Sequence, residues 1–215
     1  MKRLITFGDS WTAGHGVELD IQYKEVISPN PFIDKLRTSN GWPRHLATHY
    51  DIPFVNFGWC NKSNPEIIQD IKDNLTHLEK DDLIVVMLSF PYRGIGEPLH
   101  DISSITTLLN GFNYYIFNSF YPSLDGIDEK TIEEARKTIG YDDTRFIEPS
   151  KTFSSILQQW EKDNNISPWE YDFRYPATWQ NMEYGDTHPN YTGYKIIANQ
   201  IKEYIDDYNT NSSTE

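Results

Sequence analysis

Six consecutive apolar residues, Leu83-Ile84-Val85-Val86-Met87-Leu88, leave a chain like this few folds to choose from. The run has the length of a strand and falls far short of the ~20 residues that a membrane-spanning helix needs. It shows no polar alternation, so a strand here has to be covered on both faces, as inner strands of parallel sheets are. The rest of the chain supplies partners of the right kind. Leu4-Ile5-Thr6-Phe7 reads as a first strand ending at Gly8, Pro53 to Phe57 as a second, and Asn113 to Phe117 as a fourth. Helical patterns lie between them. Trp42 to His49 has Pro43 in a position suited to a first turn. Asn64-Pro65 reads as an N-cap followed by Pro at the first helical position, with Ile67, Ile68, Ile71, Leu75 and Leu78 continuing at helical spacing. Ile102 to Leu109 is a further helix. A last helix starts near Asn190, with Tyr194, Ile197, Ile201 and Ile205 in steps of three and four. Strands alternating with helices predict an α/β fold with a mostly parallel sheet.

The 215 residues predict one domain over residues 1–208. Residues 123–185 read as a decorated excursion covering one end of the sheet. It holds helical pieces at Thr131 to Thr138 and Phe153 to Trp160, and an aromatic, Pro-broken run from Pro168 to Pro176. Residues 209–215 are small and polar and read as a flexible tail. With 19 Lys and Arg against 32 Asp and Glu, the formal charge is −13. Such a surface repels phosphate backbones and anionic lipid, and no basic cluster exceeds Lys2-Arg3, so neither nucleic acid nor membrane is expected as a partner. The single Cys60 excludes an internal disulfide and a multi-cysteine zinc site. His45 and His49 are four apart, but no Glu lies between them and no third ligand is evident, so no metal is expected. Too few apolar residues precede Gly8 to form the core of a signal peptide, and the expectation is a cytoplasmic protein.

Two segments at opposite ends of the chain carry chemistry. In Phe7-Gly8-Asp9-Ser10-Trp11-Thr12-Ala13-Gly14, a Ser follows a buried strand directly, where open α/β sheets present groups to ligands. A helix beginning there also favours developing negative charge. In Gly185-Asp186-Thr187-His188-Pro189-Asn190, a His restrained by Pro precedes the last helix, with an Asp close by. Ser, His and Asp are the parts for nucleophilic acyl transfer. Taken singly, Ser10 is also a good helix N-cap, and Asp-x-His-Pro is also a capped turn.

Together, in this order and at these positions, the two segments resemble the SGNH (GDSL-type) hydrolase family. Gly8-Asp9-Ser10 with Thr12 matches the block after that family's first strand. His188-Pro189-Asn190 with Gly193-Tyr194 matches the block before its last helix. The resemblance implies a three-layer α/β/α sandwich with a flavodoxin-like sheet, a nucleophile at Ser10, a base at His188, and no cofactor. The family's Asp stands three residues before the His. Gly185 occupies that position here, and Asp186, two before, is the expected third member, with a backbone carbonyl or Asp172 as alternatives.

The family's oxyanion hole combines the Ser N–H, a Gly N–H after the second strand, and an Asn side chain after the third. Gly58 and Asn61 both suit the second donor. After the third strand the chain reads Leu88-Ser89-Phe90-Pro91-Tyr92-Arg93-Gly94, without Asn. Ser89, Tyr92, Arg93, Asn61, Asn64 or Asn113 would have to substitute, and Arg93 could equally bind an anionic substrate group or be a plain surface residue. Trp11, beside Ser10, is the aromatic best placed to stack on a sugar, with Trp59 a second candidate. The expected substrate is a small-molecule or glycan ester, chiefly an O-acetyl group on a carbohydrate. The alternative is a weak or inactive SGNH-fold module that binds glycans or serves a structural role, with association with a virion in view.

Overall fold

The computed structural model describes residues 1–15, 35, 38–89, 98–118, 153–165 and 188–212. In chain order these form β1 (Leu4–Phe7), α1 (Ser10–Ala13), α2 (Trp42–Tyr50), β2 (Phe54–Asn56), α3 (Asn64–Asn74), a 3-10 turn (Leu75–His77), β3 (Leu83–Leu88), α4 (Pro98–Leu108), β4 (Asn113–Asn118), α5 (Phe153–Asn164) and α6 (Tyr191–Ser212). The strands lie in the order β2-β1-β3-β4 and every pair is parallel. Order reverses between β1 and β3, because β2 lies on the far side of β1. That reversal opens a crevice at the carboxyl ends of those two strands, the place where open α/β sheets hold ligands.

The apolar run of β3 is covered on both faces, as expected. Leu83, Val85 and Met87 join a core with Trp42 and Leu46 of α2, Phe153 and Leu157 of α5, and the α6 stripe Tyr194, Ile197, Ile201 and Ile205. Ile84, Val86 and Leu88 join a second core with Ile67 and Ile71 of α3 and Ile102 and Ile105 of α4. Helices on both faces of a parallel sheet make the three-layer α/β/α arrangement. Each fully buried Leu, Ile or Val contributes about 1.5–3 kcal/mol relative to exposure, so the central strand is the main energetic anchor.

Several boundaries differ from the sequence reading, each for a local reason. Ser63, not Asn64, caps α3. Ser63 donates to Glu66 Oε2 through both its N–H (2.8 Å) and its Oγ (2.7 Å), which leaves Asn64 inside the first turn. The α-helix stops at Asn74; Leu75 begins the tighter turn that follows, and Leu78 caps that turn in an extended conformation. Helix α4 starts at Pro98, before Ile102. Helix α6 runs on to Ser212, past the expected boundary at 208. Tyr208 meets the Tyr115 ring edge-on at 5.6 Å, and Tyr115 Oη donates to Asn209 Oδ1 at 3.3 Å, so the last turns are tied to the sheet. Of the excursion expected at 123–185, only Phe153 to Asn165 falls among the described residues. Thr131 to Thr138 and Pro168 to Pro176 lie outside them. Among the described residues, no helix is long and apolar enough to cross a membrane.

The amino end of the sheet is closed by ions. Arg3 donates from Nε to Asp82 Oδ1 and from Nη2 to Asp82 Oδ2, each at 2.9 Å, and the Glu79 N–H donates to Oδ2 at 2.8 Å. Burial of Asp82 opposes its charge, but the hydrogen bonds from Arg3 and Glu79 outweigh that and hold the carboxyl below its usual range.

Candidate active site

At the carboxyl end of β1 the chain turns directly into a single helical turn. Gly8 is required there for space rather than for an unusual φ. A Cβ on Gly8 would lie 2.1 Å from Thr12 Oγ1 and 3.0 Å from the Met87 carbonyl oxygen. Asp9 caps the turn by accepting the Trp11 N–H at 3.0 Å, which sets Ser10 as the first helical residue. With only four residues, α1 has little dipole to offer, so any stabilisation of negative charge here comes from individual N–H groups. Ser10 is buried, at 4% exposure.

The second half of the site is set by the start of α6. Asn190 Oδ1 accepts the Gly193 N–H at 2.9 Å, and the Asn190 carbonyl accepts the Tyr194 N–H at 2.9 Å. Tyr194 is fully buried, so the first turn of α6 is fixed against the core. Pro189 is buried, which leaves the half-buried His188 facing the end of β1. His188 Nε2 lies 2.9 Å from Ser10 Oγ, although the residues are 178 positions apart in the chain. This is the contact a general base needs to take a proton from a hydroxyl.

Beneath the pair runs a buried polar chain. Asp9 Oδ2 accepts the Ser89 hydroxyl at 2.9 Å, and the Ser89 N–H donates to Asn64 Oδ1 at 2.8 Å. Asn64 also hydrogen-bonds Asp101, whose carboxyl is pushed up by burial against the opposing effect of that bond. Asp9, Ser89, Asn64 and Asp101 are each no more than 4% exposed. The chain links the ends of β1 and β3 to the first turns of α3 and α4. It spans the switch point and supports α1 from below.

The structure sorts the expected oxyanion donors. The Gly58 N–H donates to Asn56 Oδ1 at 2.8 Å. Gly58 itself lies against α1, where a Cβ would come within 2.5 Å of the Ala13 nitrogen. Its N–H is thus engaged within the loop, and its lack of a side chain makes room for α1. Asn61, three residues on, has φ 59°, the left-handed region in which Gly is the usual occupant. The Ser89 hydroxyl is committed to Asp9, and the Asn64 side chain is engaged at both ends. Asn113 begins β4 opposite Leu83, at the amino end of the sheet and away from Ser10. Asp186, Asp172, Tyr92 and Arg93 lie outside the described residues.

The two tryptophans near the site differ in exposure. Trp11 is 2% exposed and belongs to the core, because the α1 turn points its ring inward, so it is no stacking surface. Trp59 is 55% exposed, on a loop whose backbone is held to the end of β1 by a Trp59 N–H to Gly8 carbonyl bond of 3.2 Å. The sequence reading left two neighbours of the site without a role. His15 and Cys60 hydrogen-bond through His15 Nε2 and the thiol, and the His15 ring lies 5.4 Å from that of His188. The only sequence signal for them was the Gly14-His15-Gly16 run so soon after Ser10. His45 and His49 turn to separate partners, the Tyr191 ring (5.0 Å) and Asn199 Oδ1 (2.7 Å).

No protein-family model matches the chain, and no curated protein matches it in sequence. Solved structures share its fold. The psychrotrophic esterase EstA from Pseudoalteromonas sp., inhibited by monoethylphosphonate, is 12% identical with a TM-score of 0.57, covering 98% of this chain and 100% of that chain. A candidate GDSL-like lipase from Parabacteroides merdae is 13% identical with a TM-score of 0.52, covering 94% of each chain. An alpha/beta hydrolase enzyme from the metagenome of Lake Arreo is 12% identical with a TM-score of 0.52, again covering 94% of each. Those with a TM-score above 0.5 include an esterase and a GDSL-like lipase. The fold of the chain is the SGNH fold, with Ser10 and His188 meeting at its switch point.

Proposed function

We propose that the protein is a serine esterase that hydrolyses a small ester through an acyl-enzyme on Ser10. One observation carries the reading: the 2.9 Å contact between His188 Nε2 and Ser10 Oγ. His188 takes the Ser10 proton as Oγ attacks the ester carbonyl, and returns it to the departing alcohol. Water, deprotonated by the same imidazole, then releases the acyl group and regenerates Ser10. Asp186 orients the His188 ring in this scheme. The oxyanion is held by the backbone N–H groups of Ser10 and Asn61. The left-handed backbone of Asn61 supports that choice over Gly58, whose N–H is already engaged.

The substrate is a carbohydrate O-acyl ester, chiefly an O-acetyl. The exposed indole of Trp59, two residues before Asn61 on the same loop, supports a sugar-stacking role there. A second reading, a weak or non-catalytic glycan-binding module, draws on a different observation. Ser89, which directly follows β3 where the family's Asn is missing, and Asn64, another expected substitute, have their side chains committed to the buried network. Incubation with p-nitrophenyl acetate and with acetylated xylan separates the two. The esterase reading expects turnover of both by wild type and of neither by Ser10→Ala. A folded wild type that binds xylan without releasing acetate would favour the module.

A further inference from the structure

The loop after α1 and the loop after β2 meet at a contact that the reaction scheme does not use. The Cys60 thiol and His15 Nε2 are hydrogen-bonded, 45 residues apart in the chain. His15 is held firmly for this. Gly14, at φ 83°, ends α1, and the His15 N–H donates to the Ser10 carbonyl at 3.0 Å. Tyr194 Oη, from a buried ring of α6, donates to the His15 carbonyl at 2.5 Å. With both backbone groups fixed, the imidazole is set between two working parts. On one side its ring faces the His188 ring at 5.4 Å, tilted by 40°. On the other, Cys60 is followed directly by Asn61, in its left-handed conformation.

We infer that His15 and Cys60 are a positioning pair for the esterase reaction. The bond between them ties the loop carrying the Asn61 N–H to the segment that walls the His188 ring, so the base and the oxyanion donor keep one relative geometry. Neither residue bonds to substrate or moves a proton in this role. The inference rests on the esterase reading and adds to it two residues which that reading leaves idle. A donor that drifts by ~1 Å can cost ~100-fold in rate, while ground-state binding of the ester is little affected.

The test is steady-state hydrolysis of p-nitrophenyl acetate by the full chain as wild type, Cys60→Ala, Cys60→Ser, His15→Ala, His15→Gln and the Cys60→Ala/His15→Ala double variant. Each is first checked for a wild-type circular dichroism spectrum and cooperative unfolding. Cys60→Ala and His15→Ala should each lose about 10–100-fold in kcat with KM within about twofold of wild type. Cys60→Ser and His15→Gln keep a hydrogen-bonding group and should recover part of that loss. The double variant should be no slower than the slower single variant, because both remove one bond. Folded single variants with wild-type kcat, losses confined to KM, or losses that multiply in the double variant would overturn the pair while leaving the esterase intact. If either Ala variant fails to fold, the Ser and Gln variants decide, and wild-type kcat in Cys60→Val would overturn the pair. A wild type that hydrolyses nothing would overturn the esterase reading and the pair with it.

Discussion

The two ends of the sheet solve the same problem in opposite ways. Both contain buried carboxylates. At the amino end, Asp82 is fully buried and is met by the two-pronged guanidinium of Arg3. At the carboxyl end, Asp9 and Asp101 are also buried, and their hydrogen bonds described here come from neutral groups, the Trp11 N–H, the Ser89 hydroxyl and the Asn64 side chain, with His100 adding only a through-space attraction at Asp101. An ion pair holds charge firmly and aims nothing. A chain of neutral donors fixes direction. One end is built to hold, the other to place a hydroxyl against a base.

Substitutions at the two ends should therefore have different readouts. The largest effect belongs to Ser10→Ala, which should lower kcat by ~10⁴-fold or more while the unfolding midpoint stays at or above that of wild type. Loss of stability in place of activity would mean that Ser10 only caps its helix. Arg3→Met should do the reverse. It leaves Asp82 buried without its cation and should reduce unfolding free energy by about 2–4 kcal/mol in urea titration, the lower values reflecting the partial exposure of Arg3. Its kcat at 25 °C should match wild type.

Ser89→Ala removes one donor from buried Asp9 and should cost about 1–3 kcal/mol. Because that bond also supports α1, kcat should fall with it, and an unchanged kcat would separate the network from the site.

Acid separates two further contributions. Burial lowers the His45 pKa from 6.5 to about 4, since the charged ring would lie against the core with Lys195 nearby. The unfolded chain then binds the extra proton first. Stability should fall as pH drops from about 6.5 to about 4, by about 1–2 kcal/mol after allowance for partial exposure, and His45→Gln should remove that slope. Asp82 is shifted the other way, below its ordinary 3.8. The stability from its bond to Arg3 is complete above that value and disappears only at lower pH, so Arg3→Met should flatten the more acid part of the curve alone. The smallest effect should come from Lys2→Ala, whose partner Glu79 is also exposed, with no detectable change in midpoint or kcat.

Much of this was legible before any coordinates. The β3 run and the α6 stripe could be read because each is dictated by burial alone: one strand covered twice, one helix covered on one face. Ser10 and His188 could be paired because their neighbours, Gly8, Asp9, Pro189 and Asn190, are residues with strong local geometric demands. The α3 cap was readable and misassigned, since Ser63-Asn64-Pro65-Glu66 is a capping box in plain sight. Other features depend on contacts that no local pattern contains. Whether Trp11 or Trp59 faces solvent is decided by the direction of one helical turn. That Gly58 is packed and Asn61 left-handed follows from how the loop seats on α1. The His15–Cys60 bond joins two unremarkable positions that meet only once β2 pairs with β1.

The claim that His188 activates Ser10 is tested most directly by reaction with a fluorophosphonate, with the adduct located by peptide mass spectrometry in wild type and in His188→Ala. The account predicts one adduct, on Ser10, forming at least ~100-fold more slowly without the imidazole. No adduct on folded wild type, or equal rates in the two proteins, would contradict it.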